Sequence, residues 1–105
     1  MGILNRLGDT IYTTVASGEL QGSTSALQLP DIACKMVNIK ANIDNSGNVH
    51  IGVSGVTLDN GTTDTTTGFQ LDASQETGWI PIDNLSKLYR ITTNSTDDST
   101  YLLVN

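Results

Sequence analysis

Two runs of alternating apolar residues constrain the fold of this chain more than any other feature. Apolar side chains occupy every second position in both runs, at Val37, Ile39 and Ala41 and again at Val49, Ile51 and Val53. A period of two is typical of a strand with one buried and one wet face. The residues between the runs include Asp-Asn-Ser-Gly at 44–47, which is a turn composition. The two runs therefore predict a β-hairpin.

The rest of the chain predicts an all-β fold. Turn-forming residues recur about every ten positions between short apolar runs, which is typical of a two-layer sandwich or a small barrel of about eight short strands. No stretch competes as a long amphipathic helix, so a parallel sheet with helical crossovers is not expected. At 105 residues the chain is expected to form one antiparallel domain over 11–105, preceded by a short arm or flap at 1–10.

Composition excludes some classes of partner. The formal net charge is −6, and the five basic residues are scattered, so the chain is not expected to bind nucleic acid. No run is long enough to span a membrane, and no secretory signal is visible. The single cysteine, Cys34, cannot form an internal disulfide, which favours assembly in a reducing cytoplasm.

Residues that catalyse reactions or bind metals are few. His50 is expected to face solvent, and Cys34 is interpreted as a small, half-buried apolar residue. A Cys34–His50 dyad is the weaker alternative, because no third orienting group is evident. We therefore expect a non-enzymatic protein without a cofactor.

Acidic residues cluster at predicted turns, at Asp44 and at Asp97-Asp98. The segment from Asp44 begins like a calcium loop, but apolar residues follow where further oxygen ligands are needed. An Asx-type turn is the favoured interpretation, Asp97-Asp98 is expected to be a solvated turn, and no metal site is predicted.

The aromatic residues allow two interpretations. Trp79 and the three tyrosines, Tyr12, Tyr89 and Tyr101, would suit a platform on which sugars stack. Core packing is favoured for Trp79 and Tyr89, because a small core with one phenylalanine needs its aromatic side chains.

Several segments together resemble a known family. They are 37–41, 45–52 and 54–57, followed by Ile-Asp-Asn-Leu-Ser-Lys-Leu-Tyr at 82–89. This pattern resembles small accessory virion proteins of tailed bacteriophages over roughly residues 25 to 104. The resemblance implies an antiparallel β-sandwich, jelly-roll-like, that attaches to the phage head or to a fibre, often as a trimer.

The resemblance leads to a functional expectation. The chain is expected to be a capsid decoration or cement subunit that binds the major capsid protein, forms a homotrimer, and lies on the capsid surface after assembly in the host cytoplasm. Its candidate partner-binding residues are the apolar cluster Ile3, Leu4 and Leu7, which either docks on a partner or packs on its own domain. The alternative is a receptor- or glycan-binding module of a fibre or tail.

Overall fold

The computed structural model describes residues 11–58 and 67–105, and these residues form eight strands and one 3₁₀ turn. The strands are β1 (Val15–Leu20), β2 (Leu27–Gln28), β3 (Met36–Ala41), β4 (Val49–Gly52), β5 (Phe69–Leu71), β6 (Ile80–Pro81), β7 (Tyr89–Thr92) and β8 (Ser99–Val104), and the 3₁₀ turn is Leu85–Lys87. The arm expected at 1–10, with Ile3, Leu4 and Leu7, lies outside the described residues.

The strands form two four-stranded antiparallel sheets packed as a sandwich. The first sheet has the order β1-β8-β3-β6 and the second β2-β7-β4-β5. Hydrogen-bonded pairs join β1 to β8, β2 to β7, β3 to β6 and β4 to β5. The chain therefore doubles back on itself as one long hairpin, and the hairpin is wrapped into two layers. This is the jelly-roll arrangement, and it confirms the expected all-β sandwich.

The inner faces of both sheets carry the alternating apolar residues. In β3, Val37, Ile39 and Ala41 are fully buried, while the residues between them are half-buried or exposed. Each buried aliphatic side chain of this kind contributes about 1.5–3 kcal/mol through removal of apolar surface from water. The core is completed by Leu20, Leu29, Cys34, Val49, Ile51, Leu71, Leu85, Tyr101 and Leu103.

The predicted hairpin between the two alternating runs is wrong. Both runs form strands, but β3 pairs with β6 and β8, whereas β4 pairs with β5 and β7. The intervening segment crosses from one sheet to the other because its polar groups bond to the β7–β8 turn. Asn42 N–H and the Asn45 side-chain amide both donate to the Asp98 carbonyl, at 3.0 and 2.8 Å.

Asp97 holds this crossing together and is not the solvated turn residue that the sequence suggested. It is 1% exposed. Its carboxylate accepts the backbone N–H of Gly47 at 3.1 Å, and the backbone and side-chain N–H of Asn94 at 2.9 and 3.0 Å. We call the end with this crossing and the β7–β8 turn the upper end of the sandwich. The opposite, lower end carries the start of β1, the β2–β3 and β6–β7 connections, the end of β4 and the start of β5.

Replacing Asp97 by alanine should lower the free energy of unfolding by about 2–4 kcal/mol, because buried N–H donors then lose a charged acceptor. Urea unfolding followed by circular dichroism measures the change. The exposed Asp44 is the matched control, and Asp44→Ala should stay within about 0.5 kcal/mol of the parent. Equal effects of the two substitutions would contradict the role assigned to Asp97.

Candidate functional site

An irregularity at the edge of the first sheet directs one aromatic side chain to the surface. Lys40 is bridged to Glu76, and Val37 pairs with Ile80. Two residues separate Lys40 from Val37 on β3, whereas three separate Glu76 from Ile80 on the facing segment. The facing segment therefore contains one extra residue, which is a β-bulge.

The bulge consists of Gly78 and Trp79 opposite Asn38. Gly78 has a φ of 77°, and a Cβ built on it would meet no atom within 4 Å. Glycine is thus required here by the backbone conformation and not by lack of space. Because the next residue, Ile80, pairs with inward-facing Val37, Trp79 lies on the outer face of the sheet, where it is 46% exposed.

An apolar depression surrounds the Trp79 side chain. Its volume is about 320 Å³, and it is lined by Tyr12, Met36, Trp79 and Val104. The Tyr12 hydroxyl donates to the Met36 sulfur at 3.4 Å, which ties the residues before β1 to the sheet. Met36 and Val104 are register partners on the two central strands, so the floor of the depression is regular β-sheet.

The neighbouring depression, of about 430 Å³, continues along β3 and β8 and combines exposed Leu102 with polar side chains. Its side chains include Ser17, Asn38, Lys40, Glu76 and Thr100. The Asn38 amide donates to Glu76 Oε1 at 2.7 Å, which fixes both side chains beside the bulge. The two depressions together are called the Trp79 groove: its apolar half is the Tyr12 end, and its polar half is the Lys40 end, where polar side chains surround exposed Leu102.

The prediction that Trp79 belongs to the core is therefore wrong, and Tyr89 is only half-buried. Tyr101 is the tyrosine that packs inside, against Gly18: a Cβ on that glycine would lie 2.7 Å from the Tyr101 hydroxyl. Glycine at this position allows the ring to fit between the sheets.

His50 does not face solvent as predicted, since only 2% of it is exposed. Val56 and Gly68, described residues on either side of the β4–β5 connection, lie over the outer face of the second sheet. A Cβ built on Gly68 would come within 2.6 Å of the His50 Cβ, and buried Val56 packs on both Gly52 and Gly68. Alternation within the strand could not reveal this cover, because it comes from a loop.

Cys34 is buried, as an apolar packing residue should be, with 3% exposed. Its thiol donates to the Ile82 carbonyl at 3.3 Å. Burial, and secondarily the negative charge of Asp83, raise the pKa of the thiol above its ordinary value of 9.0. A raised pKa disfavours the thiolate that a cysteine nucleophile needs.

A second surface feature lies at the lower end of the sandwich. Four large apolar side chains are well exposed there: Ile11 (81%), Val53 (69%), Val15 (67%) and Phe69 (60%). Between the two sheets at the same end is a cleft of about 310 Å³, with Ile51, Phe69, Ile80 and Leu88 among its lining residues. We call these residues and the cleft the lower apolar surface.

The described part of the chain contains neither a metal-binding cluster nor a membrane-spanning helix. Within residues 11–58 and 67–105 no group of three or more histidine, cysteine or acidic side chains could hold a metal ion. Over the same residues, no helix has the length and apolar character needed to cross a membrane. The segment from Asp44 forms part of the crossing at the upper end, where Gly47 N–H bonds to Asp97.

Sequence reasoning missed the bonded surface pair Asn38 and Glu76 beside the bulge that carries Trp79. Glu76 and Trp79 are separated by only two residues, but no local pattern pairs Glu76 with β3. The available signal was Gly78 immediately before Trp79 in an apolar run, since a glycine inside a strand pattern often marks a bulge.

Comparison with known proteins adds no relative. No family model, no curated protein and no solved structure matches this chain.

The Cys34 thiol should react with an aromatic disulfide reagent at pH 8 about a hundredfold or more slowly in the native protein than in urea, because it is buried and its pKa is raised. Absorbance of the released thiolate measures the rate. The raised pKa also makes stability depend on pH. As pH rises above the ordinary pKa of the thiol, the unfolded chain releases this proton before the native protein does, so the free energy of unfolding falls.

Asp83→Asn is the control for this experiment. It removes the smaller cause of the raised pKa and leaves the burial intact, so the native thiol should remain slow. Rapid native modification of the parent protein would contradict the placement of Cys34.

Proposed function

We propose that this protein is a non-enzymatic structural virion protein, a capsid decoration subunit that binds the major capsid protein and stabilises the head. The observation that carries the proposal is the lower apolar surface. Large exposed apolar side chains that adjoin an apolar cleft are typical of surfaces that another protein covers. Jelly rolls are also common among viral structural domains, which is support by analogy alone.

The N-terminal cluster extends the same surface in sequence. Ile3, Leu4 and Leu7 precede exposed Ile11 by no more than eight positions. Three further apolar residues thus come shortly before Ile11 in the sequence, and we propose that the lower end faces the capsid. The net charge of −6 suits a basic patch on that partner.

The proposed mechanism is bridging on the capsid surface of a virion assembled in the host cytoplasm. A homotrimer, as the family resemblance implies, would present three lower ends to adjacent capsomers. Because the second and third contacts are intramolecular once the first has formed, weak individual contacts hold the subunits together more tightly than their single affinities suggest. Binding only to the assembled shell stabilises that shell by mass action.

Adding the purified protein to heads that lack it should raise the temperature at which the heads rupture, because the bound protein stabilises the intact shell. Release of packaged DNA to an intercalating dye, followed during heating, measures the temperature. Saturated binding without a change in rupture temperature would contradict the bridging mechanism.

Two matched variants locate the contact. Val53→Asp places a charge on the lower apolar surface and should weaken binding to heads about tenfold or more, because a desolvated charge opposes docking. Ile43→Asp changes a side chain of similar exposure, 80% against 69%, in the β3–β4 crossing at the upper end, and should bind like the parent. Equal loss in both variants would place the contact elsewhere.

A receptor- or glycan-binding module of a fibre or tail is the second candidate. The observation that favours it is the exposure of Trp79 beside Tyr12, since an exposed indole is a surface on which sugar rings stack. A glycan array that displays host surface sugars, probed with the fluorescently labelled protein, should give signals for a subset of them. No signal for any host sugar would count against this candidate.

A further inference from the structure

We infer that the Trp79 groove is a carbohydrate site, in which Trp79 stacks on one ring of a neutral oligosaccharide and the Asn38–Glu76 pair bonds to its hydroxyls. The inference deepens the second candidate function by naming the site and the class of sugar. It does not depend on capsid binding, which is proposed for the lower apolar surface.

The division of the groove matches the chemistry of a sugar. A pyranose ring presents C–H groups on its faces and hydroxyls around its rim. The apolar half of the groove offers an indole with Met36 and Val104 beside it, and the polar half begins at the next outward-facing position of β3, Asn38. A ring on Trp79 would therefore have its rim beside the polar half.

The bulge is the second observation that points to a ligand. An inserted residue disrupts the ladder at an edge strand, and Gly78 is held at positive φ with open space around it. The core does not require this, because Ile80 supplies the inward-facing side chain at the pair with Val37. What the extra residue does is direct Trp79 outward, and bulges are frequent where a side chain must be directed at a site.

The polar partners are fixed before a ligand arrives. Asn38 donates to Glu76 Oε1 at 2.7 Å, so rotation of both side chains is restricted. The carboxylate accepts from sugar hydroxyls in charge-assisted bonds, and an amide both donates and accepts. Neighbouring hydroxyls on a ring can use such a pair together, and fixed partners reduce the entropy lost on binding.

Charge restricts the class of sugar. The chain has a net charge of −6, and the polar half of the groove contains one carboxylate, Glu76, and one ammonium, Lys40. Glu76 and Lys40 largely cancel at the site, so an acidic sugar would be repelled mainly by the net charge of the molecule as a whole. Neutral sugars, including N-acetylated ones whose methyl group can pack on the apolar half, avoid this repulsion.

Because Trp79 is the only tryptophan, its fluorescence reports on this site without labelling. The probes are neutral trisaccharides of glucose, galactose and N-acetylglucosamine, with sialyllactose as the acidic comparison. At least one neutral probe should change the emission saturably, with a dissociation constant of about 0.1–10 mM, as expected for an open site with few contacts. Sialyllactose should bind more weakly than that probe.

Variants test which residues bind the sugar. Binding to them is followed by backbone amide NMR shifts, because this readout does not need the Trp79 indole. Trp79→Ala should weaken binding about tenfold or more, Trp79→Phe should restore part of it, and Glu76→Gln should weaken it about threefold to tenfold. Phe69→Ala is the matched control, because Phe69 is another exposed aromatic residue but lies on the second sheet. Thermal unfolding of each variant confirms that it is folded.

Several results would overturn the inference. They are no response to any neutral probe up to about 50 mM, equal affinity in Trp79→Ala, shifts at the Phe69 cleft instead of the groove, and tighter binding of sialyllactose. Concentration-dependent shifts at the groove without sugar would show that a second copy of the chain occupies it. The sugar titrations use the isolated protein, whereas the rupture experiment uses phage heads. A negative result in one experiment therefore does not contradict the proposal tested by the other.

Discussion

The central position of the last strand is the constraint on which the rest of the sandwich depends. Strand β8 lies between β1 and β3 and pairs with six residues of each, so Val104 is the partner of both Val15 and Met36. The first sheet is complete only when the two ends of the described chain have met, which makes folding depend on contacts distant in sequence. The same arrangement makes the floor of the Trp79 groove rigid, because it consists of two central strands and not of loops.

The sequence predicted which faces are buried better than it predicted which strands pair. Period-two alternation identified Val37, Ile39 and Ala41 correctly, because a half-buried strand imposes that pattern wherever it lies. It could not distinguish a hairpin from a crossing between sheets, since both need a polar turn after Ala41. The crossing is stabilised by Asp97, whose buried carboxylate accepts the N–H of Gly47, fifty residues earlier in the sequence. Such a tertiary bond has no local signature.

The candidate site was harder to predict for a related reason. Trp79 is apolar and lies in an apolar run, so composition assigns it to the core, and only the register shift at Gly78 turns it outward. The error for His50 is the opposite. The alternating pattern predicts that this position is exposed, but residues outside the strand cover it. In both cases the strand itself was predicted, and the error came from an irregular element packed beside it. Irregular elements of this kind are where functional sites tend to lie, so the two failures and the site have a common origin.

One small subunit can carry both proposed binding surfaces. The Trp79 groove begins beside the lower apolar surface, since Val15 of that surface pairs with Val104 of the groove, and it runs from there along the outer face of the first sheet. Both roles therefore require a partner at the lower end that leaves Trp79 uncovered. A single shallow groove binds a sugar weakly, because its contacts are few and partly solvated. Repetition of the subunit on a particle would change this, since each further contact with a glycan-coated surface is made at a high effective concentration. A weak sugar site and a decorating role therefore reinforce each other: the lower end fixes many copies in place, and the number of copies supplies the avidity that one groove lacks.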